Sequence, residues 1–205
     1  MRSLALLVPG PIDQLTGGYL YARRLVDGLR ARGIDVAVHE LPGRFPAADD
    51  TARAAAAAAL AALPDGAVAL IDGLALAGFR DCLPDAAQRL RLLALVHHPL
   101  PDETGIGAAQ ARGFAALEAA LLPRVAGVIC PSDETAAAVA AYGVTRARLA
   151  TVLPGTQKPA RPRPQAADDG GISVGTDDLN TPVPLRLRPV YGRLDSSHRF
   201  GWQRC

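Results

Sequence analysis

The sequence predicts an α/β protein with a doubly wound, mostly parallel sheet. Three observations support this fold class. Short segments rich in Leu, Val and Ile alternate along the chain with segments of helical periodicity. The apolar segments are continuous, as expected for strands that are covered on both faces. Most of them end at Pro, Gly, Asp or His, residue types that suit a turn at a strand's carboxyl end. Strand and helix alternating in this way give a parallel sheet.

The first elements follow this alternation closely. Residues 3–8 form an apolar strand that ends at Pro9-Gly10, and Gly17-Gly18 opens the following helix. Apolar residues recur at helical spacing over Tyr19–Arg32, and Gly33 is typical of a helix C-terminus. The next predicted elements are a strand at Ile34–Glu40, a helix at Ala48–Leu63 and a strand at Val68–Ile71.

The same alternation continues to the end of the predicted domain, which spans residues 1–156. Ser132 is predicted to cap a helix at Asp133–Tyr142, because a serine hydroxyl satisfies free N–H groups of the first turn. The other predicted elements are strands at Leu92–Val96, Gly127–Cys130 and Leu149–Leu153 and a helix at Ala108–Leu122.

The composition changes abruptly after the predicted domain. Forty of the first 167 residues are alanine, whereas none of the last 38 is. The Pro-rich segment Pro159–Pro164 is typical of an extended linker. We therefore expect residues 157–205 to be a linker and a tail, and two interpretations of the tail stay open. It is either a disordered C-terminus or the product of a shifted reading frame.

Charge, cysteine content and hydropathy exclude several classes of protein. The formal net charge is +2, which gives no electrostatic case for a nucleic-acid partner. Three widely separated cysteines imply neither a disulfide framework nor a zinc knuckle, and they fit the reducing cytoplasm. No apolar run reaches the ~20 residues of a spanning helix. We expect a cytoplasmic protein, for which peripheral contact with a membrane surface stays open.

Ligands of doubly wound sheets bind beyond the carboxyl ends of the strands, which directs attention to the loops there. Gly17 and Gly18 would let a ligand approach the backbone, and a helix N-terminus offers free N–H groups to an anion. A plain glycine turn is the alternative. The loop matches neither G-x-G-x-x-G nor a P-loop, which argues against a tight dinucleotide site and against an NTPase.

His97 and His98 follow the fourth predicted strand, and Asp72 follows the third. An imidazole at this edge can donate or accept a hydrogen bond and titrates near neutral pH, although a structural role for one of the two is the competing interpretation. No cluster of further ligands at metal-binding spacing surrounds the pair, so no metal is expected. Asp72 is predicted either to bind a ligand hydroxyl or to cap its loop.

Three other residues receive structural interpretations. Glu118 is predicted to be either a solvated charge or a helix anchor. Ser132 is a helix cap rather than a nucleophile, because the chain has no G-x-S-x-G elbow. Cys130 ends a buried strand and is predicted to be an inert core thiol.

Several segments together resemble the N-terminal domain of the retaining glycosyltransferases of family 4, which have a GT-B fold. Their order and spacing match over residues 1–156, about three quarters of the chain. The segments are LLVPGPIDQLTGGYLYARRLVDGLRARGIDV, LIDGLAL, LVHHPLPDETG, EAALLPRVAGVICPSDETAAAVAAYGV and LATVLPGT.

The resemblance implies a Rossmann-like, acceptor-side half of a GT-B enzyme. Its partners would be a nucleotide sugar and a sugar or lipid-linked acceptor, with no cofactor or metal. Gly17 and Gly18 would lie near the donor phosphates, and His97, with His98 as the alternative, would contact the transferred sugar. Gly155 would begin the interdomain connection. Gly155 and Asp72 complete the predicted substrate-binding set.

The sequence departs from the family where the donor-binding domain should begin. Ser173–Thr176 faintly resembles the first strand of that domain, but no Arg-x-x-x-x-Lys pattern and no Glu follow it. We therefore expect a transferase that is incomplete in these residues, with a separate donor-domain chain as one solution. The alternatives are a non-catalytic binding or partner module, an inactive fragment, and an oxidoreductase, which the missing G-x-G-x-x-G disfavours.

Overall fold

The computed structural model describes residues 3–155, and these form one α/β unit around a six-stranded sheet. The strands are β1 (Ser3–Pro9), β2 (Asp35–Leu41), β3 (Val68–Asp72), β4 (Arg91–Leu95), β5 (Gly127–Cys130) and β6 (Leu149–Thr151). The helices are α1 (Gly17–Arg30), α2 (Asp50–Ala61), α3 (Leu83–Arg89), α4 (Ala108–Leu121) and α5 (Asp133–Ala140).

All neighbouring strands in this sheet are parallel, in the order β2-β1-β3-β4-β5-β6. The predicted Rossmann-like α/β class is therefore confirmed, and the sheet is entirely rather than mostly parallel. The predictions for the linker and tail, for Ser173–Thr176 and for Thr156 concern positions outside the described residues.

The strand order determines which helices cover which face. β2 lies on one side of β1 and β3 to β6 follow on the other, so right-handed crossovers place α1 alone on one face. Leu6 and Val8 of β1 pack with α1, whereas Ala5 and Leu7 face the larger core on the opposite side. Both faces of β1 are thus buried, which accounts for its continuous apolar sequence.

The segment between β3 and β4 contains two elements that the sequence analysis did not predict. A 3₁₀ segment at Gly73–Phe79 follows β3 directly and leads into α3. The Asp72 side chain accepts a hydrogen bond from the Leu74 N–H at 2.9 Å, which turns the chain at the strand end. Both elements are only 7 residues long, too short for a clear periodic signal.

Two predicted helix ends are confirmed, and a third boundary shifts. Gly33 ends the α1 region with a φ of 74°, and the Ser132 side chain accepts a hydrogen bond from the Thr135 N–H at the start of α5. α1 begins at Gly17, as expected of the glycines that open it, and it ends at Arg30 rather than at Arg32.

A buried carboxylate in α4 anchors the loop that follows β4. Glu118 is 0% exposed, and its Oε1 accepts a hydrogen bond from the Leu100 N–H at 3.0 Å. Its Oε2 has no hydrogen-bond partner within residues 3–155. The anchoring interpretation of Glu118 is therefore confirmed, and the solvated one is wrong. Burial raises the pKa of Glu118 to about 7, against the lowering effect of the Leu100 N–H and with a smaller rise from Asp102.

Replacing this carboxylate should change how stability depends on pH. The pKa of Glu118 is raised from 4.5 to about 7 in the folded protein. The contribution of Glu118 to the free energy of unfolding is therefore largest below pH 4.5 and is lost as the pH rises through 7. The loss amounts to about 3 kcal/mol at most. Glu118→Gln should remove this loss and make the protein more stable than wild type at pH 8, measured by urea unfolding at pH 4.5 and pH 8.

Glu134→Gln is the matched control, because Glu134 is exposed in the first turn of α5. It should leave the pH dependence between 4.5 and 8 essentially unchanged. Equal pH dependence in wild type and Glu118→Gln would contradict the account of Glu118.

Candidate functional site

The carboxyl edge of the sheet brings together Asp72 and His97, two of the residues predicted from sequence. Asp72 is the last residue of β3 and lies opposite Leu95 of β4, so His97 follows two residues beyond that pair. The His97 Nε2 lies 3.2 Å from the Asp72 Oδ2. The neighbouring strands thus place an imidazole and a carboxylate in hydrogen-bond contact.

Both oxygens of the Asp72 carboxylate have partners. Oδ1 accepts from the Leu74 N–H, and Oδ2 accepts from His97. The Asp72 side chain is only 5% exposed. The predicted loop cap is therefore present, and the second oxygen orients His97 instead of facing solvent.

This pairing defines which nitrogen of His97 is available to a ligand. A carboxylate only accepts hydrogen bonds, so Nε2 carries the proton that it donates to Asp72. In the neutral ring Nδ1 is then the acceptor, and it forms no hydrogen bond within the described part of the chain. The side chain is 16% exposed, so the imidazole is oriented by buried partners but still reaches the surface.

Three further residues hold His97 from two helices. A Cβ at Gly18 would lie 3.3 Å from the His97 Cδ2, so the glycine allows the imidazole to pack against α1. The Tyr21 ring meets the imidazole edge-on, with centroids 5.5 Å apart. Thr135 of α5 donates its hydroxyl to the His97 carbonyl oxygen at 3.3 Å. These contacts and the Asp72 bond fix His97 at its backbone and its ring.

Sequence reasoning did not single out Tyr21 and Thr135. Tyr21 lies three residues after Gly18, so the two share a face of α1. Thr135 lies three residues after the cap residue Ser132, and its backbone N–H donates to the Ser132 hydroxyl. Both residues could have been found from the sequence, because each lies three residues along a helix from a residue that the sequence analysis had named.

The N-terminus of α1 beside His97 is open. Within residues 3–155, a Cβ at Gly17 would meet no atom within 4 Å beyond its chain neighbours and its own helix backbone, and the N-cap residue Thr16 makes no side-chain capping hydrogen bond. The first-turn N–H groups of a helix carry a partial positive charge and have no intrahelical partners. Gly17 and Gly18 therefore offer an electropositive backbone surface next to the imidazole.

His98 and Gly155 do not join this cluster. The His98 Nε2 lies 3.0 Å from the Glu103 Oε2, and its side chain is 47% exposed. The Gly155 carbonyl instead accepts from Arg24 Nη1 of α1 at 2.9 Å. His98 is thus tied to its own loop, and Gly155 is tied to α1.

α1 also fixes the end of β6. The Tyr21 hydroxyl donates to the Val152 carbonyl at 2.8 Å, and burial, with a smaller effect of Cys130, raises the pKa of Tyr21 to about 12. Tyr21 therefore remains a neutral donor at physiological pH. One helix thus positions both His97 and the segment that leaves the sheet.

Other reactive or metal-binding side chains are few among residues 3–155. Burial raises the pKa of the Cys130 thiol to about 12, which keeps it protonated at neutral pH, as expected of a core thiol. Residues 3–155 contain no cluster of three or more His, Cys, Asp or Glu side chains suited to a metal ion. None of the helices over the same residues has the length and apolar character needed to cross a bilayer.

Comparison of the sequence with known protein-family models gives no match, and a search of curated proteins gives none that is significant.

The two adjacent glycines should respond differently to the same substitution. Gly18→Ala places a methyl group 3.3 Å from the His97 ring and should displace the imidazole by a few tenths of an ångström. Gly17→Ala places its methyl group in open space. We expect the ring ¹H and ¹⁵N NMR signals of His97 to shift in Gly18→Ala and to stay at wild-type positions in Gly17→Ala. Equal shifts in both variants would show that Gly18 does not pack against His97.

Proposed function

We propose that this chain is the acceptor-side half of a retaining glycosyltransferase resembling family 4, acting with a nucleotide-diphosphate sugar. The observation that carries the proposal is the convergence of Gly18, Asp72 and His97 beside the open N-terminus of α1. It supports the two roles that the resemblance assigns, a phosphate near the glycines and a sugar near the histidine.

The α1 N-terminus would bind the donor diphosphate. Backbone N–H groups at Gly17 and Gly18 are directed by the helix, and its dipole favours a negative charge there. The open space beside Gly17 admits a phosphate close to the backbone. In retaining transfer the diphosphate leaves as the sugar becomes oxocarbenium-like, so donors that stabilise this charge lower the barrier.

His97 would hold the transferred sugar. With Nε2 bound to Asp72, its Nδ1 is oriented to accept a hydrogen bond from a sugar hydroxyl. Asp72 would act as a positioning residue, because its carboxylate contacts the imidazole and the Leu74 N–H. His98 would stabilise the loop through Glu103.

The proposal includes the remaining partners expected from the sequence. The acceptor would be a sugar or a lipid-linked sugar, and contacts to the far side of the donor would come from a separate donor-binding domain. The reaction would need no metal and no cofactor, and it would take place in the cytoplasm. Arg24 and Tyr21 support this arrangement by holding the end of β6 and Gly155 against α1, next to the site.

A binding experiment on the full chain tests the proposal directly. UDP-, GDP- and ADP-sugars are titrated while the ring signals of all histidines are followed by NMR. One nucleotide sugar should shift His97 and leave His39, in β2, unchanged. His97→Ala should weaken its binding about 5- to 150-fold, because a lost sugar hydrogen bond costs roughly 1–3 kcal/mol. His98→Ala should change binding by less than about twofold, since a hydrogen bond at an exposed site adds little.

The outcomes separate the proposal from its alternatives. If no nucleotide sugar shifts His97 even when a donor-binding domain is present, or if His98→Ala has the larger effect, the assigned site is wrong. Transfer is then measured as nucleotide release with candidate acceptors and a donor-binding domain. A nucleotide sugar that binds at His97 but is never consumed would instead support a non-catalytic binding module.

A further inference from the structure

A groove runs beside α4 on the face of the sheet opposite α1. Its volume is about 550 Å³, within the range of small-molecule sites. Pro46–Ala48 and Arg53 form one wall, α4 forms the other, and the exposed Arg80 also lines the groove. A second hollow of about 270 Å³ shares Arg80 and three other lining residues with the first and continues to Arg124. Together they follow α4 from Gln110 to Leu121, about 17 Å at 1.5 Å per residue.

Apolar side chains and cationic side chains share this groove. Phe114 and Leu117 of α4, although mostly buried, contribute to its lining, and Leu121 continues this apolar strip. Arg53, Arg80 and Arg124 also line it, together with the carboxylate of Asp81. Arg53 is ion-paired with Asp50, so one positive charge is in excess among these described residues.

Within residues 3–155, Arg80 is the lining cation whose whole guanidinium remains available to a ligand. The Arg53 Nη1 donates to the Ala48 carbonyl, and the Arg124 Nε donates to the Ala120 carbonyl. The Arg80 guanidinium, by contrast, forms no hydrogen bond or ion pair with any of residues 3–155. A guanidinium binds phosphate or carboxylate through two parallel hydrogen bonds.

The wall opposite α4 is already ordered. The Asp49 Oδ1 accepts hydrogen bonds from the N–H groups of Ala52 and Arg44. The Phe45 ring packs against Gly78, where a Cβ would lie 3.1 Å from a ring carbon. A ligand entering this groove therefore orders little additional chain, which favours binding.

We propose that this groove binds a single anionic amphiphile, with a phosphate or carboxylate on Arg80 and an apolar chain along Phe114, Leu117 and Leu121. The excess positive charge selects the anionic head, and the length along α4 selects an extended chain. The proposal is independent of the glycosyltransferase assignment, since it uses none of the residues around His97.

Calorimetric titration of the full chain with dodecyl phosphate below its critical micelle concentration tests this site. Dodecyl maltoside is the neutral comparison, and inorganic phosphate is the comparison without a chain. Arg80→Ala should weaken dodecyl phosphate binding about tenfold through the lost charge-assisted bond. Ala116→Leu, which fills the second hollow, should weaken binding of either amphiphile.

Matched controls lie on the same helix but outside the groove lining. Arg112→Ala and Ala119→Leu change exposed positions of α4 and should leave binding at wild-type strength. Circular dichroism confirms that each variant is folded. All four substitutions are at exposed positions, so each variant should keep the fold.

Four results would overturn the proposal. Absence of dodecyl phosphate binding below micelle formation, or equal effects of the lining and control substitutions, would show that the groove is not a site. Binding confined to anionic vesicles, and insensitive to Ala116→Leu, would identify surface attraction to a membrane instead. Tight binding of an acidic amphipathic peptide without binding of the amphiphile would indicate a protein partner.

Discussion

The hydrogen bond between Asp72 and His97 is the interaction on which the candidate site depends. It links the carboxyl ends of two adjacent strands, and Asp72 also turns the chain into the 3₁₀ segment at Gly73–Phe79. Because the carboxylate is almost fully buried and each of its oxygens accepts a hydrogen bond, it has little freedom to move. The imidazole that it orients is then the surface against which α1 packs through Gly18.

α1 connects this site to the rest of the fold. Gly18 and Tyr21 of this helix contact His97, and Tyr21 and Arg24 also bind the backbone at the end of β6. A movement of the segment after β6 would therefore act on the helix that contacts His97. If the proposed transferase closes its two halves around the donor, such a connection would couple closure to the position of His97.

Much of this arrangement was predictable from the sequence because it follows from chain order. Asp72 and His97 come from consecutive parallel strands, so a doubly wound sheet must place them at one edge. The packing of Gly18 against His97 was not predictable, since glycine patterns do not distinguish a ligand approach from a side-chain contact. The burial of Glu118 was equally hidden, because a lone Glu in an Ala-rich helix has the pattern of a solvated residue. α3 was missed because its 7 residues are too few for helical periodicity.

The tautomer of the His97 ring tests the central claim most directly. In the neutral ring, long-range ¹H–¹⁵N NMR should place the proton on Nε2, because only a protonated Nε2 can donate to the Asp72 carboxylate. In Asp72→Asn the amide oxygen would keep the Leu74 N–H bond and turn its NH₂ group toward Nε2, so the ring proton should move to Nδ1. A proton on Nδ1 in the wild-type protein, or the same tautomer in both proteins, would contradict the account.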